Sequence, residues 1–477
     1  MSSYCQSCLP PAVKLETLRR HLSAELLEET PVGFGTVLRG GTMDSRRISP
    51  GMLFCAVRGS RTDGNRFIEA AVQSGAAAVL SDMPECPVPA GIPALHCRPG
   101  RGYVAAALAA EALAGFPAHS LRLLGITGTC GKTTTAFLLR DILRRAGRRV
   151  GMIGTVVYDD SVEQVAADRT TPTPFELQAL FSRMRCNGVQ EAVMEVSSAA
   201  IDQMRFGSAL FDIAAFTNFS RDHLDYHGTM ERYYECKRRL FTHCLKPSGV
   251  AVLNLDDPQV RELAGQLPGS VGFSLAAAPP PWSSPLAGRF NAYNATCAGM
   301  MAQADAVPAE AIAAALASAQ GAPGRLERWR LPSGAMAFVD YAHTPEEMKN
   351  ALAALRPLCT GRLGIVFGCG GDRDCGKRPQ MGDAASSSDC IWLTSDNPRS
   401  ESPDAIIADI LPGIAAGVPC VVEVERRRAI TAAAEAMRAG DFLLIAGKGH
   451  EDYQEINGIK YPFSDSAVLA EAGGIRV

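Results

Sequence analysis

The sequence predicts an α/β protein with three domains, and three observations support this prediction. The chain has 477 residues, whereas a single hydrophobic core stops growing at roughly 250–300 residues. Apolar strand patterns alternate with helical patterns, which is typical of parallel strands joined by crossover helices. A glycine-rich segment stands between one such strand and the helix after it. We expect a small N-terminal α/β cap at 1–101, a central P-loop-type ATPase α/β domain at 102–323 and a C-terminal Rossmann-like α/β domain at 324–477.

In the N-terminal segment, two short strand-like runs are predicted on either side of Ser49-Pro50-Gly51, within DSRRISPGMLFCAVRG. The spacing of apolar residues predicts a helix over 67–78 and a strand over 77–80. An alanine-rich helix over 103–115 then begins the second domain.

The central and C-terminal segments repeat the strand and helix alternation. The pattern predicts a helix over 133–146 and an exposed Pro/Ala/Ser loop over 276–285. The predicted strands are 121–126, 193–196, 213–216 and 250–253, followed by 337–339, 363–367, 390–394 and 442–445.

Composition excludes several classes of protein. Hydrophobic residues make up 47% and charged residues 20% of the chain, which indicates a globular protein. The net charge of -3 gives no attraction to nucleic acid or to an anionic membrane. No apolar run approaches the roughly 20 residues of a membrane helix, and the first residues lack a signal-peptide pattern. We therefore expect a cytoplasmic protein that neither inserts into a membrane nor binds nucleic acid. We further expect it to be a monomer.

The fifteen cysteines are scattered along the chain. Cys5 and Cys8 form a lone C-x-x-C pair with no second pair or histidine cluster beside it, so a reduced N-terminal tail is favoured over a zinc site. No structural disulfide is expected in a cytoplasmic protein.

The strongest local signal is LLGITGTCGKTTTAFLLRDIL, an apolar strand followed by a glycine-rich turn and an amphipathic helix. Glycines let backbone N–H groups turn toward a phosphate, and the helix N-terminus adds a favourable dipole. Lys132 would hold the terminal phosphates of ATP, and the hydroxyl of Thr133 would reach Mg²⁺. The predicted ATP-binding residues here are Gly128, Thr129, Cys130, Gly131, Lys132, Thr133 and Thr134.

Acidic and imidazole groups that suit a metal follow this loop. Glu195 ends an apolar strand, which is where α/β sheets present ligands. His223 lies in a turn rich in Asp and His, where it is a candidate for a second Mg²⁺ ligand. Taken alone, each residue is more often an ordinary hydrogen-bonded loop residue, and Lys237 alone is more often a solvated helical lysine.

Eight motifs favour functional roles for these three residues, because the motifs occur in the order found in the Mur ligase family. The chain resembles this family from Asp44 almost to its C-terminus. The motifs are GTCGKTT, MEVSS, TNFSRDHLDYHGTMERYYECKRRLF, AGRFNAYN, DYAHTP, GCGGDRDCGKRP, DNPRSE and GKGHEDYQ.

The resemblance implies an activity, a substrate class and two cofactors. In the family, ATP phosphorylates a D-glutamate γ-carboxylate of a UDP-N-acetylmuramoyl-dipeptide, and an amine then displaces phosphate, in peptidoglycan synthesis. Lys132, Lys237 and His223 match its catalytic residues. Thr133, Glu195 and His223 match positions that serve Mg²⁺. Lys237 matches a lysine whose carbamate (N6-carboxylysine) is a further anionic metal ligand.

The resemblance also implies contacts for the two large substrates. Asn291, Asn294 and Asp340 match adenine and ribose contacts of ATP. Ser45 matches a uridine-side contact of the UDP-sugar. The remaining matches to contacts of the UDP-sugar dipeptide are Thr170, Thr171, Ser197, Gln203 and Arg205.

The amine substrate is indicated by the motif Asp396-Asn397-Pro398-Arg399, which in the family marks enzymes that add meso-diaminopimelate. The planar fork of Arg399 suits the extra carboxylate that distinguishes diaminopimelate from lysine. Lysine would leave this cation unpaired, so we expect it to be a much poorer substrate. By resemblance, Arg373, Gly447 and Glu451 complete the pocket, with Glu451 taking the distal ammonium group.

The sequence departs from the family pattern at Ala199, where a histidine is usual, at Cys130, usually Asn, and at Leu326, usually Met. Two alternatives of the same chemistry are a relative that adds L-lysine and one that acts at another step or on folate. An alternative of another class is a P-loop regulatory ATPase, which the motifs DNPR and GKGHE disfavour.

Overall fold

The structure is a computed structural model that describes residues 12–27, 35–59, 62–83, 86–279 and 281–477. The described residues form two compact units. The first contains the residues up to 279 together with 297–312, and the second contains the remainder.

The first unit begins with a small sheet of four parallel strands in the order β3-β4-β5-β6. Leu53 and Leu80 on its strands pack with Ala105 and Ala109 of the following helix in one core. The elements are β1 (Val13–Lys14), α1 (Leu15–His21), β2 (Val37–Leu38), β3 (Gly41–Thr42), β4 (Leu53–Ala56), α2 (Ile68–Gln73), β5 (Ala78–Ser81), β6 (Ala94–His96) and α3 (Gly102–Ala114).

The larger sheet of the first unit has eight strands in the order β10-β9-β8-β11-β7-β12-β13-β14. The six strands from β8 to the β14 edge of this order pair in parallel. Strand β9 pairs antiparallel with both β8 and β10. The elements are β7 (Arg122–Thr127), α4 (Lys132–Arg145), β8 (Val150–Ile153), β9 (Val157–Asp159), β10 (Gln164–Ala166), α5 (Pro174–Cys186), β11 (Glu191–Glu195), α6 (Ser198–Asp202), β12 (Phe211–Phe216), α7 (Leu224–His227), α8 (Met230–Thr242), β13 (Leu245–Asn254), α9 (Pro258–Gln266) and β14 (Val271–Phe273). The helices α10 (Arg289–Ala304) and α11 (Ala309–Ala317) follow, and each has residues in both units.

The second unit contains a seven-stranded sheet in the order β19-β18-β17-β20-β16-β15-β23 and a separate hairpin, β21-β22. Strands β16 to β20 pair in parallel, and β15 pairs antiparallel with both neighbours. The elements are β15 (Glu327–Arg330), β16 (Met336–Asp340), α12 (Pro345–Leu355), β17 (Leu363–Phe367), α13 (Lys377–Ala385), β18 (Cys390–Leu393), α14 (Pro403–Ile410), β19 (Cys420–Val422), α15 (Arg426–Ala436), β20 (Phe442–Ala446), β21 (Tyr453–Ile456), β22 (Ile459–Pro462), α16 (Asp465–Glu471) and β23 (Ile475–Arg476).

The central strands of both large sheets are buried on both faces. Leu123, Leu124 and Ile126 of β7 are fully buried, as are Ile365 and Val366 of β17. Helices on each face of a parallel sheet produce this pattern, and it explains why these strands are continuous apolar runs in the sequence. The α/β class and the parallel alternation predicted from the sequence are confirmed.

One predicted element is wrong. The run before Ser49 is a 3₁₀ turn over Ser45–Arg47 instead of a strand. The carboxylate of Asp44 accepts a hydrogen bond from the backbone N–H of Arg46 (3.0 Å), and this local bond turns the chain. Each of the three predicted domains contains one sheet in which most strands are parallel. The boundaries of the domains stay a prediction.

Three further expectations concern cysteines and membranes. Cys5 and Cys8 lie outside the described residues. Cys186 is disulfide-bonded, so the expectation of no disulfide is wrong at this residue, because scattered positions along the sequence do not reveal spatial pairing. Among the described residues, no helix has the length and apolar character needed to span a membrane.

Candidate active site

The predicted phosphate loop lies where expected, between the end of β7 and the start of α4. Gly131 has a left-handed φ of +86° and precedes the first residue of the helix. At Gly128 (φ +150°), a Cβ atom would lie 1.9 Å from the Thr217 hydroxyl oxygen, so only glycine fits. The two glycines therefore allow a tight turn directly before the N-terminus of α4. A helix N-terminus preceded by such a turn can bind an anion.

The loop is held from the adjacent strand end by two residues that sequence analysis does not single out. Asn218 accepts a hydrogen bond from the Cys130 N–H (2.9 Å) and donates one to the Cys130 carbonyl (3.0 Å). The Thr217 hydroxyl donates to the same carbonyl (2.6 Å). Their position directly after β12, in the TNFSRDH motif, is the signal that identifies them.

Lys132 folds back over the loop. Its ammonium group donates to the carbonyls of Gly128 (2.9 Å) and Thr129 (2.8 Å). The positive charge thus lies beside the backbone that would surround a phosphate, while the expected contact of Lys132 with a terminal phosphate stays a prediction.

Glu195 stands at the end of β11 and is fully buried. Its carboxylate accepts hydrogen bonds from the hydroxyl of Thr133 (2.8 Å) and from the N–H (2.8 Å) and hydroxyl (3.1 Å) of Thr155. A Cβ atom at Gly154 would lie 2.3 Å from this carboxylate, so the chain passes it closely. The structure therefore joins the predicted residues Thr133 and Glu195, and adds Thr155 as a residue that the sequence does not indicate.

Lys237 lies on α8 and is 1% exposed. Its ammonium group donates to the Gly128 carbonyl (2.9 Å) and lies 4.8 Å from the centre of the Tyr233 ring. Burial, reinforced by the charge of Lys132, holds the pKa of Lys237 well below its usual range. The interpretation of Lys237 as a solvated surface lysine is therefore wrong, and its amine faces the phosphate loop.

The two histidines of the loop after β12 differ in environment. His223 is exposed, has a left-handed φ of 52° and pairs with neighbouring Asp222 (3.5 Å). His227 is buried, and its Nε2 lies 2.8 Å from the hydroxyl oxygen of Ser198. Burial lowers the pKa of His227. Because Ser198 precedes Ala199, a histidine does stand beside the segment in which the family motif has one.

Three of the predicted contacts of the UDP-sugar dipeptide, Thr170, Thr171 and Ser197, are linked to Glu195 by hydrogen bonds. The hydroxyl of Thr171 donates to the Glu195 carbonyl (2.8 Å) and accepts from the N–H of Ser197 (3.2 Å). The hydroxyl of Thr170 lies 3.1 Å from that of Thr155, which itself contacts Glu195. These threonines therefore border the candidate metal site directly.

Arg205 and Gln203 extend the same group of residues. Arg205 donates to the Thr171 carbonyl (2.6 Å) and to the Gln203 side-chain oxygen (2.9 Å). Ser45 lies apart in the 3₁₀ turn of the small sheet, whose Arg47 forms an ion pair with Glu176 at the start of α5 (2.9 Å).

In the second unit, two of the predicted nucleotide residues, Asn291 and Asn294, are buried polar groups, and Asp340 is half-buried. Asn291 and Asn294 lie on α10, and the amide of Asn294 donates to the Asn291 side-chain oxygen (3.1 Å). Asp340 ends β16, and its carboxylate accepts from the N–H groups of Leu326 (2.7 Å) and Ala342 (2.8 Å). Burial raises the pKa of Asp340. The Leu326 departure therefore leaves its backbone contact to Asp340 intact.

The motif Asp396–Arg399 follows β18 and meets the loop after β20. The amide of Asn397 donates to the carboxylate of Glu451 (2.9 Å). A Cβ atom at Gly447 (φ +114°) would lie 2.6 Å from a carboxylate oxygen of Asp396, so this approach requires glycine. The structure thus brings four of the predicted amine-binding residues together at the carboxyl ends of β18 and β20, the two strands that flank β17.

Arg399 and Arg373 both lie near Gly370, in the loop after β17. Arg399 donates to the carbonyl of Gly371 (2.7 Å) and pairs with Glu455 (3.3 Å). Arg373 is exposed, and its Cγ atom would lie 3.8 Å from a Cβ atom at Gly370. Pro398 stands between Asn397 and Arg399, where it restricts the turn.

Two further cations belong to this region and are not identified by sequence analysis. Lys448 is fully buried, and its ammonium group donates to Asn397 (3.0 Å) and Glu451 (3.0 Å). The guanidinium of Arg325 lies 5.0 Å from the centre of the Tyr341 ring. Its charge partly offsets the rise in the pKa of Asp340 that burial causes. Their positions inside the GKGHE and PGRLE segments are the signals that point to them.

The phosphate loop at the carboxyl end of a parallel sheet, with a buried carboxylate beside it, defines a nucleotide-dependent α/β enzyme. Three family models extend this conclusion. The Mur ligase family catalytic domain matches residues 38–111, the Mur ligase middle domain matches 126–279, and the Mur ligase glutamate ligase domain matches 324–449. The chain belongs to the Mur ligase family.

Similar proteins agree with this assignment. The chain is 42% identical over 461 residues to a UDP-N-acetylmuramoyl-L-alanyl-D-glutamate--2,6-diaminopimelate ligase of Gloeobacter violaceus, with 91% of this chain and 94% of the relative covered. A protein of the same name from Geobacter metallireducens is 39% identical, with 96% and 98% covered. A solved structure of that name is 32% identical, with a TM-score of 0.65 over 97% of this chain and 99% of the other.

More distant structures share the fold. MurF of Thermotoga maritima in complex with ADP has a TM-score of 0.59 at 19% identity, covering 85% of this chain and 93% of that protein. At this identity the likeness concerns the fold alone.

Proposed function

We propose that this chain is an ATP-dependent ligase that joins meso-diaminopimelate to the D-glutamate γ-carboxylate of UDP-N-acetylmuramoyl-L-Ala-D-Glu in peptidoglycan synthesis. The observation that carries the proposal is the meeting of Asp396, Asn397 and Glu451 beside Arg399 in a member of the Mur ligase family. The names of the relatives agree with this substrate pair.

The reaction has two steps. The γ-carboxylate oxygen attacks the terminal phosphorus of ATP, which forms an acyl phosphate and releases ADP. The amine then attacks the acyl carbon, the C–O bond to phosphate breaks, and the amine loses a proton as the amide forms. Conversion of the carboxylate into an acyl phosphate makes its carbon a good electrophile.

The protein's share in the first step is to hold the phosphates and neutralise their charge. The loop from Gly128 to Thr134 presents its backbone N–H groups, and the Lys132 ammonium lies above them. The contact between Thr171 and Glu195 would place the dipeptide carboxylate beside the terminal phosphate.

The residues present fit a divalent cation. Thr133 and Glu195 supply hard oxygen ligands, which Mg²⁺ prefers, and His223 is the further ligand that we propose. When bound, Mg²⁺ would reduce the negative charge of the ATP phosphates. Among the described residues, no group of three or more His, Cys, Asp and Glu side chains is arranged to hold a metal ion. Glu195 contributes a single negative charge, so a further anion would help to balance a divalent ion.

We propose that a carbamate on Lys237 supplies this anion. The neutral amine attacks CO₂, and loss of a proton yields the carbamate. Only the unprotonated amine is a nucleophile, and burial lowers the pKa of Lys237, which favours that form. The same burial makes an ammonium at this position costly beside a bound cation.

At the amine site, Arg399 would bind the distal carboxylate of diaminopimelate, and Glu451 would accept its distal ammonium group. Arg373, Asp396 and Gly447 border the same pocket. Asn397 holds Glu451 in place through its side-chain amide.

We further propose that Arg205, Gln203 and Ser197 contact the muramoyl peptide, Ser45 the uridine, and Asn291 the adenine. The three-domain division at 101 and 323 is part of this proposal. We infer a monomer that acts in the cytoplasm, where ATP and nucleotide sugars are available.

The test is product formation with one amine at a time. Purified protein with MgATP and UDP-N-acetylmuramoyl-L-Ala-D-Glu should yield the diaminopimelate adduct by mass spectrometry. A product with lysine alone would favour a lysine-adding ligase, and a folate substrate would favour a folate ligase. ATP hydrolysis that needs neither substrate would favour a regulatory ATPase.

A further inference from the structure

The guanidinium of Arg399 has a carboxylate partner within the chain. Its Nε lies 3.3 Å from Oε2 of Glu455 on β21, and its Nη1 donates to the carbonyl of Gly371 (2.7 Å). The side chains of Arg399 and Glu455 are 22% and 26% exposed, so the pair is partly shielded from water and is stronger than a surface ion pair.

The backbone fixes this pairing. The N–H of Arg399 donates to the carbonyl of Glu455 (3.0 Å), and the N–H of Asn457 donates to the carbonyl of Arg399 (2.7 Å). The N–H of Glu455 donates to the side-chain oxygen of Asn397 (2.9 Å). The hairpin β21-β22 is therefore anchored along the Asp396–Arg399 motif, which keeps the Glu455 carboxylate beside Arg399.

This arrangement places two carboxylates in competition for one guanidinium. A bidentate grip on a substrate carboxylate needs two neighbouring N–H groups of the planar fork. The Glu455 carboxylate lies at the Nε edge as an ion-pair partner at 3.3 Å, and the Gly371 carbonyl accepts from one N–H of Nη1. A substrate with a distal carboxylate must displace Glu455 or share the fork with it.

We infer that Glu455 is a specificity-determining residue, an internal counter-ion of Arg399 that the distal carboxylate of the amine substrate replaces. The inference rests on the proposed function. An amine without that carboxylate, such as lysine, leaves the Arg399–Glu455 pair intact and so avoids leaving a guanidinium unpaired. Glu455 therefore lowers the preference for diaminopimelate below the value that Arg399 alone would give.

The experiment measures kcat/KM for diaminopimelate and for L-lysine in the wild type and in Glu455→Gln. The variant should raise the ratio of diaminopimelate to lysine by about tenfold, because Arg399 then has no internal carboxylate partner and lysine leaves its charge unbalanced. The KM values for ATP and for the UDP-sugar dipeptide should stay unchanged. Glu471→Gln is the matched control, since Glu471 forms an exposed ion pair with Arg427 in the same unit.

A second comparison separates this role from a merely structural one. In an Arg399→Ala background, Glu455→Gln should leave the amine ratio unchanged, since the two residues act through one contact. A folded Glu455→Gln protein whose ratio is unchanged or lower overturns the inference while the proposed function stands. A wild type that does not use diaminopimelate overturns both.

Discussion

The hydroxyl of Thr133 donates a hydrogen bond of 2.8 Å to the buried carboxylate of Glu195. This contact joins the first turn of α4 to the end of β11, so the phosphate loop and the strand that bears the carboxylate form one site. A hydroxyl and a carboxylate at this distance are two oxygen ligands ready for one hard cation.

Replacement of the Thr133 hydroxyl should therefore weaken magnesium-dependent turnover. Thr133→Val keeps the shape of the side chain but removes the oxygen, and kcat should fall by about 10²-fold or more. Thr133→Ser keeps the hydroxyl and should retain most of the activity. Steady-state rates over a titration of Mg²⁺ provide the measurement, and equal rates for the Val and Ser variants would refute the role of the hydroxyl.

Lys237 should be essential through an anion that it carries. Lys237→Ala should nearly abolish turnover, and a short carboxylic acid such as acetate should restore part of it by filling the space of the carbamate. Lys246→Ala is the control, because Lys246 is a partly exposed lysine that pairs with Asp212 (2.8 Å). Full activity of Lys237→Ala without any additive would exclude the carbamate.

Lys448 should hold the amine site in its working shape. Lys448→Met removes the cation from Asn397 and Glu451, which leaves a partly buried carboxylate without its counter-ion and should cost about 3 kcal/mol of stability. We expect the KM for diaminopimelate to rise about tenfold while the KM for ATP is unchanged.

Lys460→Met is the matched control for Lys448→Met, since both lysines lie over the ring of Tyr453, at 5.5 Å for Lys448 and 3.9 Å for Lys460. The double variant Lys448→Met/Glu451→Gln should recover part of the lost stability, because the uncompensated charge is gone. Thermal unfolding and amine kinetics measure both effects. Wild-type values of stability and KM in Lys448→Met would contradict this role.

Glu191 makes stability depend on pH. It shares Arg148 with Asp305 in a buried group, and one of its carboxylate oxygens has no hydrogen-bond partner among the described residues. Burial first, then Asp305, raises the pKa of Glu191 to about 7 from an ordinary value of 4.5. Between these values the folded state retains a proton that the unfolded state has lost, so stability falls as pH rises through this window.

A neutral side chain at this position should remove that dependence. Glu191→Gln cannot ionise, so its Tm relative to the wild type should increase from pH 5 to pH 8. Calorimetry at both pH values measures the difference. A difference that is flat or that decreases would show that Glu191 titrates near its ordinary value.

Local patterns allowed the phosphate loop to be predicted from sequence. The strand, the glycines and Gly-Lys-Thr are contiguous, and β7 ends at Thr127 while α4 begins at Lys132. The same holds for Glu195 at the end of β11. By contrast, helical spacing alone predicts a solvated Lys237, and only the fold shows that this residue is buried, as are Tyr233 and Leu240 of the same helix α8.

At the proposed amine site, the sequence motif does not identify the partners of its residues. The motif identifies Arg399, whereas its partner Glu455 lies 56 positions further along and reaches it only through the fold of the hairpin. Lys448 likewise depends on the approach of two loops after separate strands. The sequence-based expectation for the preference of diaminopimelate over lysine assumes an unpaired Arg399. The Arg399–Glu455 pair changes that expectation, and residue spacing does not predict this contact.

The central claim is that ATP activates the γ-carboxylate of the dipeptide, and oxygen transfer tests it most directly. UDP-N-acetylmuramoyl-L-Ala-D-Glu labelled with ¹⁸O in that carboxylate is supplied with MgATP and diaminopimelate, and the released phosphate is analysed by mass spectrometry. The acyl phosphate route predicts that each phosphate released with amide formation carries one carboxylate oxygen. Consumption of ATP with unlabelled phosphate would contradict it.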